Sequence, residues 1–197
     1  TPDTSPRGDY VPTDPAGQWD FGFGAGFYVD AEQEPWSRHY RMHSFVLEEL
    51  PSRLCSALPL DVLRLGLSGH SMGGHGAMSL ALKYPGRYRS VSAFSPICAP
   101  ASCPWGDKAL SAYLGEDKEE WKLHDSSELI RSGAKAIPLL VDQGASDQFL
   151  VEQLVLTLRV QIIDADTGDF VGVVLDLDFL LGNGLVGLLG LLEQVGR

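Results

Sequence analysis

The sequence predicts an α/β fold built on a parallel-rich sheet, and three observations carry that expectation. Short β-type runs at residues 61–70, 90–94 and 136–144 alternate with stretches of helix-forming composition. A glycine-flanked turn, Gly69-His70-Ser71-Met72-Gly73, joins the first run directly to a helix-type segment. The chain has 197 residues, which suits one domain with a core of its own.

Taken in order, residues 1–35 mix proline, glycine and aromatics in "DTSPRGDYVPTDPAGQWDFGFGAGFYVDA" and predict a surface excursion packed by its own rings. Residues 35–58 place Tyr40, Phe45, Val46, Leu47 and Leu50 on one helical face. In "DVLRLGLSGH", Val62, Leu63, Leu65 and Leu67 alternate with small or charged residues, the pattern of a buried strand. Ala77, Met78, Leu80, Ala81 and Leu82 then form a helix that Pro85-Gly86 stop. A second strand is expected at Ser90 to Phe94, short helices and loops over residues 98–134, and a third strand in "AIPLLVDQG", residues 136–144.

The turn at Ser71 carries the chemistry. A strand, a sharp turn and a helix form an elbow, where glycines at 69 and 73 allow the chain to bend too tightly for a β-carbon. The serine oxygen is then pushed out at the end of the sheet, and the Met72 N–H is placed to donate to an oxyanion there. The competing expectation is that Ser71 merely caps the helix.

Composition narrows the field. Net charge is −11 and the isoelectric point is near 4.7, with no Lys/Arg cluster, so nucleic acid is not an expected partner. Cys55, Cys98 and Cys103 fit no zinc spacing and are expected as reduced thiols of a cytoplasmic protein. His39 and His43 have the spacing of two metal ligands, but no third ligand is evident, and no metal or cofactor is expected. Residues 170–192 are apolar, yet Asp176 and Asp178 interrupt them, and the charge-free run Phe179 to Leu192 falls short of the roughly 20 residues of a membrane span. The opening "TPDTSPRGDY" has no Met and no leader pattern, and is expected to lie inside a longer sequence.

The blocks "PDTSPRG", "WDFGFGAGFYVDA", "HYRMHSFVLEELP", "GLSGHSMGGHGAMSLALKYPGRYRSVSAFSPICAPASCPWGDKALSAYLG" and "LLVDQGASDQFL" resemble the S-formylglutathione hydrolase (esterase D) family over about residues 2–154. The resemblance implies an α/β-hydrolase fold that is incomplete here, with N-terminal strands missing. It divides the chain into a partial hydrolase domain, 1–161, and a divergent tail, 162–197. It implies cleavage of the small thioester S-formylglutathione to formate and glutathione, as in formaldehyde detoxification, with side activity on carboxylic esters. It admits a homodimer.

By residue, the resemblance implies that Ser71 is the nucleophile and Asp147 of "DQGASDQFL" the acid, with Asp142 the competing carboxylate. Trp105 is a candidate contact for the glutathione moiety. The family takes its base from a histidine after the acid, and here the histidines are His39, His43, His70, His75 and His124, all before Asp147. His70 is expected to point into the sheet, His75 to pack along its helix, and His124 to be a solvated or capping residue. "LVLTLRVQ", residues 154–161, matches the family's last strand, but the oxyanion-loop donor and a helix after the acid have no counterpart. The chain as written is expected to be inactive or nearly so. A general serine carboxylesterase and a non-catalytic remnant are the alternatives.

Overall fold

The computed structural model describes residues 2–135, 137–144 and 146–154, together with two strands at 159–163 and 170–174. It divides into two compact units, Thr1–Val155 and Leu156–Arg197.

The first unit is organised by three parallel strands, β1 (Gly66–His70), β2 (Ser90–Phe94) and β3 (Leu139–Asp142), in the order β1-β2-β3. Gly66 pairs with Ser90 and Val91 with Leu139, so the C-terminal ends His70, Phe94 and Asp142 come level. Parallel neighbours need crossovers, and the crossover from β1 to β2 is the helix Met72–Lys83. That helix packs on β1 and β2, where Ala77 and Ala81 meet Tyr88 and Val91, flanked by Leu65 and Leu67. Strand β1 begins four to five residues later than the sequence pattern suggests: Val62 and Leu63 lie in a turn, 51% and 72% exposed. Alternation alone cannot tell a strand from a turn when no neighbouring strand pairs with those residues.

Residues 42–57 form one continuous helix, α1, with a π-turn at Phe45–Glu49 between α-helical ends. The π-turn lies just before Pro51, which has no N–H to offer the Leu47 carbonyl. The Leu50 N–H reaches back to Phe45 O, and the freed Leu47 carbonyl accepts instead from the Arg87 guanidinium. Tyr40, assigned to this helix by spacing, precedes it and is fully buried. With the crossover helix Met72–Lys83 labelled α2, three further helices follow β2: α3 (Pro104–Leu114), α4 (Lys118–Lys122) and α5 (Ser126–Arg131). Each has a side-chain cap at its N-terminus, from Cys103, Asp117 and Asp125 respectively.

The expected surface excursion holds for its first half, where Tyr10 and Trp19 are 93% and 68% exposed, but from Phe21 to Ala31 the segment turns inward. Phe21, Phe27 and Val29 are buried and join Trp36, Tyr40, Leu110, Tyr113 and Trp121 in the main core. Tyr113 on α3 donates to Ala25 O at 2.9 Å and accepts from the Gly22 N–H, so a loop without regular structure has its backbone groups satisfied inside. The rings do pack on one another, but against α3 rather than over the surface: Phe21 and Tyr40 lie 4.9 and 5.1 Å from Tyr113.

The second unit contains an antiparallel pair, β4 (Arg159–Ile163) and β5 (Phe170–Val174). The predicted strand at 154–161 therefore falls partly in a π-turn, Leu150–Leu154, partly on residues 155–158 outside the described set, and partly in β4. The apolar segment from residue 175 onward also lies outside it. Among the described residues no helix is long and apolar enough to cross a membrane.

Candidate active site

Ser71 sits between β1 and α2 with φ 55° and ψ −119°, a left-handed backbone that a non-glycine residue adopts only under constraint. The constraint is visible. The Ser71 N–H donates to Phe94 O at 2.8 Å, and its carbonyl accepts from the N–H groups of His75 and Ile97 at 3.0 and 3.3 Å. A β-carbon on Gly69 would lie 2.1 Å from Gly73 O, so only glycine permits the close approach. The Ser71 side chain makes no capping bond to α2, contrary to the capping alternative. Its side chain instead borders a cavity of about 640 Å³, shared with Met72, Tyr28, Trp19, Trp105 and Ile97.

Met72 begins α2, and its backbone N–H has no carbonyl four residues back to serve. Ser71 and Met72 are thus brought together on the cavity wall. Asp147 is not part of that wall. It lies beyond β3, in a turn where its N–H donates to Gly144 O and its carboxylate accepts from the Phe149 N–H at 2.9 Å and the Gln143 amide at 3.5 Å. Asp142 ends β3 with its side chain exposed, while its carbonyl accepts from the Ser95 N–H at 2.7 Å.

The histidines depart from expectation in two places. His70 is exposed and borders the cavity rather than pointing into a sheet, because β1 is the edge of the described sheet. His124 is mostly buried. Its Nδ1 accepts from the Lys83 ammonium at 3.4 Å, and its ring lies 6.3 Å from that of His43, whose Nε2 is 3.3 Å from Tyr84 Oη. Burial, with Lys83, His75 and His43 close by, holds His124 in its neutral form, with a pKa pushed down to about 3. His75 packs along α2 as expected, completely buried, its Nε2 3.0 Å from Phe27 O. Burial lowers its pKa to about 4, against the pull of that carbonyl, so Nε2–H is the donor of a neutral ring.

The cavity has an aromatic side. Trp19 meets Trp105 edge-on at 5.2 Å, and Trp105 meets Phe149 at 4.9 Å. The buried Gln153 fixes the first turn of α3 by accepting the Trp105 N–H at 3.0 Å. Trp105 was accessible from its sequence block, whereas Trp19 and Tyr28 carried no local signal, since only long-range packing brings them to Ser71.

Three comparisons bear on this geometry. The family model described as "Putative esterase" matches residues 1–162. The S-formylglutathione hydrolase of Rattus norvegicus is 53% identical over 150 residues, 76% of this chain and 53% of that protein. That of Paracoccus denitrificans (strain Pd 1222) is 54% identical over 149 residues, with the same shares. An S-formylglutathione hydrolase structure from Agrobacterium tumefaciens superposes with a TM-score of 0.76 at 50% identity, over 78% of this chain and 55% of the other. A Staphylococcus aureus serine hydrolase, FphF, at 21% identity and a TM-score of 0.52, supports the fold alone. The chain spans about half the length of these relatives. Its parallel sheet and flanking helices are those of an incomplete α/β-hydrolase fold.

Proposed function

The chain belongs to the esterase family whose model it matches over residues 1–162, and from that premise we propose that it is built for hydrolysis of S-formylglutathione to formate and glutathione. One observation carries the reading: Ser71 is held in strained backbone, makes no cap bond and borders a cavity. In this mechanism Ser71 Oγ attacks the formyl carbon as its proton passes to a base, which for the chain as given is water, the C–S bond breaks, and glutathione leaves as a thiolate. The Met72 N–H donates to the oxyanion of the tetrahedral intermediate. Water then releases formate from the acyl-serine.

Asp147 is the acid that orients the base in this scheme, yet no histidine follows it in the sequence. A thiolate of pKa about 8.5 departs without much help, but the serine hydroxyl still needs its proton removed. Turnover by the chain as given is therefore expected at a small fraction of that of a complete triad, a loss on the order of 10⁶. Following the match over residues 1–162, we assign residues 1–161 to the hydrolase domain and 162–197 to a divergent tail, a division that differs from the compact units, where β4 belongs to the second; the protein is cytoplasmic and admits a homodimer. Trp105 we assign to the glutathione side of the cavity. A second reading, a general carboxylesterase, is favoured by the breadth of a cavity of about 640 Å³ around a one-carbon acyl group.

The test is labelling with a fluorophosphonate, followed by turnover of S-formylglutathione beside short acyl esters. Labelling of wild type far slower than that of a complete triad, and none of Ser71→Ala, is the expected outcome, with the thioester preferred among substrates; labelling at the rate of a complete triad would overturn the expected loss. Equal labelling of both would remove Ser71 as nucleophile, and a preference for acyl esters would move the substrate to the second reading.

A further inference from the structure

Phe27 and Tyr28 are two consecutive non-glycine residues in left-handed backbone, φ 48° and 53°. Such a pair persists only where its surroundings hold it. Here the buried His75 donates from Nε2 to Phe27 O at 3.0 Å, and the Met42 N–H donates to Val29 O at 3.0 Å. The Tyr28 ring lies directly on α2: a β-carbon on Gly76 would come within 2.4 Å of it. One turn nearer the serine, the Tyr28 hydroxyl lies 3.7 Å from where a Gly73 β-carbon would be. The ring therefore runs along the helix from Gly76 towards Gly73, with its hydroxyl at the Ser71 end.

That hydroxyl is not used by any of the described residues. Tyr40 and Tyr113, packed behind the same loop, donate to Pro12 O and Ala25 O at 2.6 and 2.9 Å. Tyr28 has no hydrogen-bond partner among the described residues, and it borders the cavity that Ser71 and Met72 border. Burial raises its pKa above that of an ordinary phenol, so it keeps its proton at neutral pH. The loop is held in strained backbone, His75 is committed to that loop, and the outcome is a phenol facing the reaction space.

We propose that Tyr28 is a further catalytic residue, whose hydroxyl donates a hydrogen bond to an acceptor oxygen of the substrate held over Ser71. This rests on the hydrolase reading in taking the cavity as the substrate site. It also gives a purpose to His75, which sits in the elbow motif yet is walled off from the cavity: it is a positioning residue acting through the Phe27 carbonyl.

The experiment compares wild type with Tyr28→Phe, which keeps the ring on Gly76 and removes only the hydroxyl. Two readouts are used, the rate at which a fluorophosphonate modifies Ser71 and the affinity for S-(2-oxopropyl)glutathione, a thioether that cannot be hydrolysed and whose ketone oxygen stands in for the formyl oxygen. Loss of one hydrogen bond to the ligand is expected to lower either by about tenfold, with the melting temperature unchanged. A merely structural Tyr28 would be rescued by Phe, leaving both values at wild type, and that result overturns the inference. If wild type is not labelled at Ser71 but binds S-(2-oxopropyl)glutathione through Tyr28, the hydrolase reading fails and Tyr28 stands as a ligand-facing donor. If wild type neither labels nor binds, both fall.

Discussion

Two turns at the C-terminal end of the sheet, those of Ser71 and Asp147, are built in opposite ways. The Ser71 turn is gripped from outside: three backbone hydrogen bonds to Phe94, His75 and Ile97, a glycine contact at residue 69, and a helix buried from Gly74 to Leu82. The Asp147 turn is held largely by Asp147 itself, through its own N–H, its own carbonyl and its carboxylate, on a partly exposed segment. A side chain positioned by rigid surroundings keeps its geometry, as the role proposed for Ser71 requires. A carboxylate whose oxygens are spent on its own turn, as at Asp147, can take the role proposed for it only when a base competes for them.

Gly69→Ala should abolish that contrast, with the largest effect. The new β-carbon would meet the Gly73 carbonyl, a backbone atom that cannot move without opening the elbow. A loss of about 3 kcal/mol or more is expected in urea unfolding, along with loss of fluorophosphonate labelling. Wild-type values for both would show that the grip on Ser71 is loose.

Acid should weaken the Ser71 side selectively. His75 has a folded pKa near 4 against an ordinary value of 6.5, so the unfolded chain takes up the proton first. The stability from keeping the ring neutral is complete above pH 6.5 and is lost as pH falls towards 4; His124 adds a loss of the same sign towards about 3. Between pH 7 and pH 5 the His75 contribution amounts to about 2 kcal/mol. Urea unfolding at the two pH values should give a decrease of about 4 kcal/mol from the two histidines together, roughly halved in His75→Gln, and equal pH dependence in the two proteins would refute it.

Asp147→Ala should have the smallest effect. It removes the side-chain bond from the Phe149 N–H, worth about 1 kcal/mol, and the long one from the Gln143 amide, and should change Ser71 labelling by less than about threefold, since no histidine follows for it to orient. A hundredfold fall in labelling would mean that Asp147 already works through a base among the earlier histidines, and the contrast between the turns would collapse.

The pattern of what could be read in advance follows from range. Strand β2 falls on Ser90–Phe94 and α2 ends just before the Pro85-Gly86 stop, as expected, because breakers and apolar spacing act within a few residues. The elbow was legible for the same reason: its glycines meet across four residues. The start of β1 was not legible, since Val62 and Leu63 alternate like a strand with no partner to pair with. The interior placement of Phe21 and Phe27 was hidden too, because their packing partner, Tyr113, is supplied from about 90 residues away. His124 was misplaced because its burial depends on Lys83 and His43, on two other helices.

Local rules of backbone sterics and apolar periodicity were therefore enough to specify the alternating α/β order, the strained serine and the helix behind it. Only the folded chain could decide that a loop rich in glycine and aromatics forms the core, that His75 turns away from Ser71 to hold that loop, and that Tyr28 reaches the cavity. Those outcomes depend on burial and on hydrogen-bond partners far apart in the chain, which no short window of sequence contains.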